Sequence, residues 1–237
     1  IKLKKENKEM LEVILVDDKS TDTSVSYVRK SFPEVKIIQK RTNSGFIDSV
    51  NLGVANSKGN LIFLLNTDVT PELDIIPKLV KYFSDKKVFG VGCLDNSIEE
   101  NIVVKRGRGL GKFYRGFLVH KKGDINYSNT LWVSGGSSIF NREIWQKLGG
   151  LDTVFRPFYW EDIDISYRAL KSGYKIYFAK EAVVKHNHKK GAILAKFNKD
   201  QIKNISLRNQ ILFVWKNISD TNLLFKHIIY LPRYILF

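Results

Sequence analysis

A chain of 237 residues, 43% of them apolar, is long enough to bury a substantial core in one α/β domain, with or without a tail. No apolar run reaches the roughly 18 residues that a membrane-spanning helix needs, and no charged-then-apolar signal segment is visible at its start. The single cysteine, Cys93, excludes an internal disulfide and fits a reducing cytosol, and the formal net charge of +15 favours anionic partners.

The charge is unevenly spread. Residues 165–237 hold 14 Lys and Arg against 3 Asp and Glu, whereas the first 164 hold 25 against 21. A basic C-terminal third suits phosphates, anionic lipid or nucleic acid, and a solvated basic face is the plainer account.

Leu11–Val16 is a short apolar run rich in β-branched residues and reads as a buried parallel strand, ended by the polar stretch Asp17–Asp22. A helix is predicted over Thr23–Phe32, stopped before Pro33, and a second strand over Val35–Gln39. Phe46, Val50 and Val54 recur at helical spacing within Ser44–Asn56, with Gly59 as the stop. Leu61–Leu65 is the most apolar strand, ended by Asn66-Thr67-Asp68. Thr70-Pro71 then predicts a helix start, Thr as N-cap and Pro in the first turn. Val88–Cys93 predicts a strand, while Ile98–Ser128 has no clean period and reads as an irregular insertion or β-excursion. Trp132–Phe140 is strand-like around Gly135-Gly136, and Asn141 caps a helix ending at Gly149-Gly150. Phe155–Trp160 is aromatic and irregular, and Glu161–Ser172 is a helix closed by Gly173. Lys175–Phe178 and Ala182–Lys185 read as strands; beyond Ala192 the chain is helical and basic with apolar residues interleaved. Strands alternating with helices argue for an α/β sheet whose site lies at the C-terminal strand ends, where the acidic clusters fall.

Three clusters carry chemistry. Asp68, just past a buried strand, is placed to bind a hard cation such as Mg2+ or Mn2+, which often takes one or two carboxylates plus substrate phosphates. A turn whose Asp caps backbone amides explains the same triplet. In Trp160-Glu161-Asp162-Ile163-Asp164, three carboxylates crowd a helix start; the helix dipole accounts for one or two, and a general base must also reach an acceptor hydroxyl. Trp160, beside Tyr159, forms either a sugar-stacking wall or a piece of core. His186 and His188 share one face of an extended segment, either as a metal-ligating imidazole with its neighbour or as a surface pair. No Gly-x-Gly-x-x-Gly follows a strand, and Walker, Cys-x-x-Cys and His-Glu-x-x-His motifs are absent, which counts against dehydrogenases, P-loop NTPases and zinc hydrolases.

Taken in order, these segments resemble the family 2 glycosyltransferases, an inverting family with the A-type nucleotide-sugar fold, and in particular their rhamnosyltransferase-like branch. The similarity runs from Leu-Glu-Val-Ile-Leu-Val-Asp-Asp-Lys-Ser-Thr-Asp at Leu11, through Asn-Ser-Gly-Phe at Asn43 and Leu-Leu-Asn-Thr-Asp-Val at Leu64. It continues with Gly-Gly-Ser-Ser-Ile-Phe-Asn-Arg-Glu at Gly135, Gly-Gly-Leu-Asp-Thr-Val-Phe at Gly149, Trp-Glu-Asp-Ile-Asp-Ile-Ser-Tyr-Arg and Ser-Gly-Tyr-Lys-Ile, covering about residues 10 to 215.

The resemblance implies a mixed, mostly parallel sheet flanked by helices. It implies that Asp17, Asp18, Asn43, Gly45, Asn66 and Thr67 line a nucleotide pocket. Asp68, with His186 or His188, would hold a divalent metal on the diphosphate. Asp162 would be the general base with Glu161 beside it, and Gly135, Gly136 and Trp160 would meet the sugar or acceptor. Asn66 stands where the first Asp of an Asp-x-Asp pair is usual. The family begins with a strand, and the resemblance implies that this strand is missing here, since Ile1-Lys2-Leu3-Lys4-Lys5 is similar to the middle of the first helix.

Residues 1–192 are therefore expected to form an N-terminally truncated nucleotide-sugar-binding and catalytic domain, and residues 193–237 a basic amphipathic helical extension. That extension either packs on the domain or lies on an anionic membrane surface near a lipid-linked acceptor. The expected activity is sugar transfer from a nucleotide-diphosphate donor to a glycan or lipid-linked hydroxyl in cell-surface polysaccharide synthesis. The competing reading is a catalytically inactive binding domain of the same fold. The expected location is cytoplasmic, peripheral to the inner face of the membrane, with no nucleic-acid partner.

Overall fold

The computed structural model describes residues 11–99, 102–187, 193 and 196–236. The chain opens with β1 (Ile14–Asp17), α1 (Ser24–Ser31), β2 (Lys36–Gln39) and α2 (Phe46–Ala55). It continues with β3 (Leu61–Leu65), β4 (Val69–Pro71), α3 (Ile75–Val80), β5 (Val88–Glu99), β6 (Ile102–Arg106), β7 (Gly109–Tyr114) and β8 (Phe117–Lys122). Then follow β9 (Ser137–Asn141), α4 (Arg142–Lys147), α5 (Glu161–Lys171), β10 (Lys175–Asn187), α6 (Lys199–Asn217) and α7 (Thr221–Leu236).

β1 and β2 pair in parallel, Ile14 opposite Lys36 and Asp17 opposite Gln39, with α1 as the crossover that parallel neighbours require. The larger sheet has the order β3-β9-β5-β10-β4, with β6 paired to β5. It is mixed: β5–β10 run parallel, and β3–β9, β9–β5, β10–β4 and β5–β6 run antiparallel. β5 feeds two cores: side chains alternate across a strand, and the register shift between Val88 and Gly90 brings Val88 and Val91 to the same side. Phe89 joins Ile47, Phe140, Trp145, Ile163 and Ile165 on one face; Val88 and Val91 join Ile75, Leu79, Ile139 and Val184 on the other.

Three features differ from the sequence expectations. Thr70-Pro71 does not open a helix: it lies in β4, which pairs antiparallel with β10 (Val69 opposite His186), and the helix starts at Ile75. β4 is the edge of the sheet, where proline's missing N–H breaks no ladder bond. Of the two readings of Ile98–Ser128, the β-excursion is the one found: the end of β5, its partner β6 and the hairpin β7–β8. The strand expected from Trp132 begins only at Ser137. The two late strands are one, β10, with a register shift between Ala179 and Val183.

The C-terminal helices pack on the domain. Asn198 and Gln201 form a reciprocal capping box at the start of α6. Phe213 and Val214 are fully buried in the same core as Phe140 and Ile163. α7 docks through His227, whose Nδ1 meets the Gly116 carbonyl at 3.1 Å and whose Nε2 accepts from the Trp215 indole at 3.0 Å. The outer face of α7 keeps Phe225, Ile228 and Ile229 exposed.

Candidate active site

The expected residues fall into three adjoining groups, two of them at strand ends and the third at the start of a helix. The first follows β1. Asp17 caps its own turn, accepting from the Ser20 N–H at 3.1 Å. Asp18 reaches across to the loop before α2, accepting from the Ser44 N–H at 3.0 Å and the Gly45 N–H at 2.8 Å, with Lys40 Nζ 2.6 Å away. Burial alone would raise the Asp18 carboxyl's pKa; the Lys40 bond and the two backbone amides outweigh it and lower it. Asp18 therefore organises the Asn43–Gly45 loop, and Asn43 is exposed. Gly45 has φ +89°, a left-handed conformation that a β-carbon disfavours.

The second group follows β3. The Asn66 N–H donates to the Gly136 carbonyl at 2.9 Å. A β-carbon on Gly136 would stand 2.6 Å from Asn66 Nδ2, and one on Gly135 would stand 3.2 Å from the Phe46 ring. Asn66 and Phe46 thus lie where side chains on these glycines would go. Thr67 is exposed. Asp68 Oδ2 lies 3.3 Å from His186 Nε2, and His186 Nδ1 lies 3.0 Å from Asp95 Oδ2. Asp95 also accepts from Ser97 Oγ at 3.0 Å. Among the described residues no three His, Cys, Asp or Glu side chains converge on one point; Asp68 and His186 together present one carboxylate and one imidazole. That donor set suits Mn2+ or Mg2+ completed by diphosphate oxygens and water, and the imidazole favours Mn2+. His188 lies outside the described residues.

The third group starts α5. Tyr159 and Trp160 have φ of +70° and +77°, consecutive left-handed residues that carry β-carbons. Such a conformation costs about 1–2 kcal/mol per residue. The turn aims Glu161 and Asp162 into the first turn of α5, whose dipole favours negative charge. Asp162 accepts from its neighbour Ile163 N–H at 2.8 Å and from the Gly135 N–H. Glu161 is buried and its Oε2 accepts no hydrogen bond. Burial raises both carboxyl pKa values, and the charge of Asp162 raises that of Glu161 further. Asp164, the third carboxylate, is structural: it is fully buried and bound by Arg168, Lys216 and Asn217. Trp160 is 4% exposed and packs on Phe213, which corrects its expected role as a sugar-stacking wall.

The groups adjoin. Gly45 faces the Pro157 carbonyl in the loop before α5, Arg156 of that loop pairs with Asp48 of α2, and Gly135 and Gly136 join Asp162 to Asn66. Sequence reasoning missed Lys40, Asp95 and Asn209. Lys40 and Asp95 stand beside strands that were recognised, but Asp95 lay past the expected end of its strand. Nothing in the local pattern singled out Asn209.

The family model "Glycosyl transferase family 2" matches residues 2–149. The O-antigen chain rhamnosyltransferase RfbN of Salmonella typhimurium is 27% identical over 185 residues, which are 74% of this chain and 57% of that protein. The chain thus spans a little over half the length of this relative. In structure it is similar to GalNAc-T7 with UDP, GalNAc and Mn2+, with a TM-score of 0.68 at 19% identity over 88% of this chain and 42% of the other. It is also similar to the mannosyltransferase PcManGT from Pyrobaculum calidifontis in complex with GDP-Man and Mn2+, with a TM-score of 0.60 at 18% identity over 89% of this chain and 55% of the other. These likenesses establish the glycosyltransferase A-type fold.

Proposed function

The chain belongs to glycosyl transferase family 2, and from that premise we propose that it transfers a sugar from a nucleoside-diphosphate donor to a hydroxyl of a glycan or lipid-linked acceptor, inverting the anomeric carbon. The observation that carries this reading is the pair Glu161–Asp162, aimed by a strained turn toward the strand ends where Asn66 and Gly135 lie.

Asp162 takes the proton of the acceptor hydroxyl. The freed oxygen forms a bond to the anomeric carbon as the bond from that carbon to the phosphate oxygen breaks, and the nucleoside diphosphate leaves with the electron pair. Asp162 then returns its proton to solvent. Glu161, buried and held toward its neutral form, keeps the pair from carrying two charges and leaves the ionised form to Asp162. Asp68 and His186 are the side chains that would hold a divalent metal, with Asp95 orienting the imidazole; bound there, the metal would neutralise charge on the leaving diphosphate. The loop organised by Asp18 supports the nucleotide. Glycosyltransferases named or crystallised with UDP, GDP-mannose and Mn2+ among the relatives are consistent with this donor class. The likeness to RfbN supports a role in surface polysaccharide synthesis, with rhamnose a candidate sugar.

Asp162→Asn tests the assignment. Donor binding should persist while transfer falls by roughly 10²–10⁴-fold, the usual cost of losing a general base. Unchanged turnover would remove Asp162 from the role.

We also propose that α7 rests on an anionic membrane surface. Phe225, Ile228 and Ile229 are exposed on it, Lys226 and Arg233 flank them, and the described part of α7 carries no acidic residue. No helix among the described residues is long and apolar enough to cross a membrane. Sedimentation with anionic vesicles should carry the protein down, and Phe225→Ser with Ile228→Ser should weaken it; equal pelleting of both proteins would remove this proposal.

A further inference from the structure

Two neighbouring residues of α6 collect almost every backbone carbonyl of the turn that leads into Glu161 and Asp162. Asn209 is fully buried. Its amide donates to the carbonyls of Phe155 at 2.8 Å, Phe158 at 2.9 Å and Tyr159 at 2.9 Å, two N–H groups shared among three acceptors. Its Oδ1 accepts from Arg208 Nε at 3.0 Å and Nη2 at 2.8 Å, and the same Nη2 donates to the Arg156 carbonyl.

The turn needs such an agent. Tyr159 and Trp160 both sit at positive φ with no side-chain cap at the helix start, a conformation that survives only where the surroundings fix it. The Tyr159 carbonyl belongs to the peptide joining these two residues, so the bond from Asn209 sets the orientation from which α5 departs. An apolar residue of the same size would fill the space and leave three carbonyls unpaired. An aspartate would set oxygen against oxygen.

We infer that Asn209, braced by Arg208, is a positioning residue that holds the left-handed Tyr159–Trp160 turn and thereby sets where Glu161 and Asp162 stand. This rests on the reading of Asp162 as the base. It also gives α6 a part in catalysis although no atom of it is placed against substrate.

The test compares wild type with Asn209→Leu and Arg208→Gln in the full chain. Three quantities are read: kcat and donor Kd, the titration of the Glu161 and Asp162 carboxyls by carbon-13 NMR, and the circular dichroism of the folded state. A displacement of about 1 Å in a reacting group costs on the order of 10²-fold. Asn209→Leu should therefore lower kcat by about that factor with donor Kd unchanged, and the carboxyl midpoints should fall toward the ordinary range as the turn loosens. Arg208→Gln, at an exposed position, should give the same changes more weakly. A folded Asn209→Leu with wild-type kcat and wild-type titration overturns the inference. If Asn209→Leu does not fold, Arg208→Gln decides alone, and wild-type kcat and titration in that variant overturn it. Should wild type transfer no sugar while the variants still shift the titration, the assigned reaction fails and the clamp stands.

Discussion

His186 Nδ1 lies 3.0 Å from Asp95 Oδ2, and this contact turns the other ring nitrogen toward Asp68. An imidazole held by a carboxylate on one nitrogen presents the other as an oriented, more basic ligand. Asp95→Ala should lower Mn2+ affinity about 10–100-fold while leaving Asp68 and His186 in place. Calorimetric titration of Mn2+ in the presence of nucleoside diphosphate measures it, and unchanged affinity would separate Asp95 from the metal.

The carboxyl pair gives transfer a pH dependence of known sign. Asp162 works ionised, and burial raises its pKa, so kcat/KM should climb with pH with a midpoint above the ordinary aspartate value of about 3.9. A pH–rate profile checks this, and a midpoint at the ordinary value would mean that the base is solvated.

The same shift enters stability. Folded Glu161 and Asp162 keep protons that the unfolded chain has already released, so stability falls as pH rises from the ordinary carboxylate range through the raised one. Glu161→Gln removes one of these groups. Its melting temperature should decline less with rising pH than that of wild type, and parallel melting curves against pH would contradict the assignment.

Asp164 is the point of greatest structural sensitivity. It is fully buried, and Arg168, Lys216 and Asn217 all converge on it. Asp164→Ala leaves cationic partners facing a gap and should destabilise by about 3–5 kcal/mol. Denaturant unfolding measures the loss; a cost below about 1 kcal/mol, typical of a surface pair, would deny the cluster its role in docking α6.

Gly136→Ala probes the contact between β3 and the segment before β9. The new β-carbon would meet the Asn66 amide at 2.6 Å, so Asn66 or the backbone must give way. Overpacking of this kind costs about 1–3 kcal/mol, and nucleotide affinity should fall with it. Thermal melting and donor titration together read both effects.

Much of this arrangement was legible from the sequence. Leu61–Leu65 carries its own signature in an unbroken apolar run, and Asn141 was read as a cap and accepts from the Ile144 N–H at 3.1 Å. Asp18, Asp68, Asp162 and His186 stood out because each carboxylate or imidazole ends a strand or begins a helix. What stayed hidden depends on partners far along the chain. Thr70-Pro71 has the local chemistry of a helix start, and only the edge of β10 turns it into a strand. Asp95 gains its meaning from His186, 91 positions away, and Asn209 from a turn 50 to 54 positions before it. Trp160 reads as core by itself and as a sugar platform by resemblance, and Phe213 of α6 packs against it.

The most direct measurement is calorimetric binding of UDP-, GDP- and dTDP-sugars with and without Mn2+, repeated for the double variant Asp68→Ala, His186→Ala. The account predicts that one nucleotide class binds, that Mn2+ tightens it, and that the double variant loses the Mn2+ effect but keeps the fold. Failure to bind any nucleotide sugar, with metal or without, would contradict it and leave a binding domain that has the fold without the reaction.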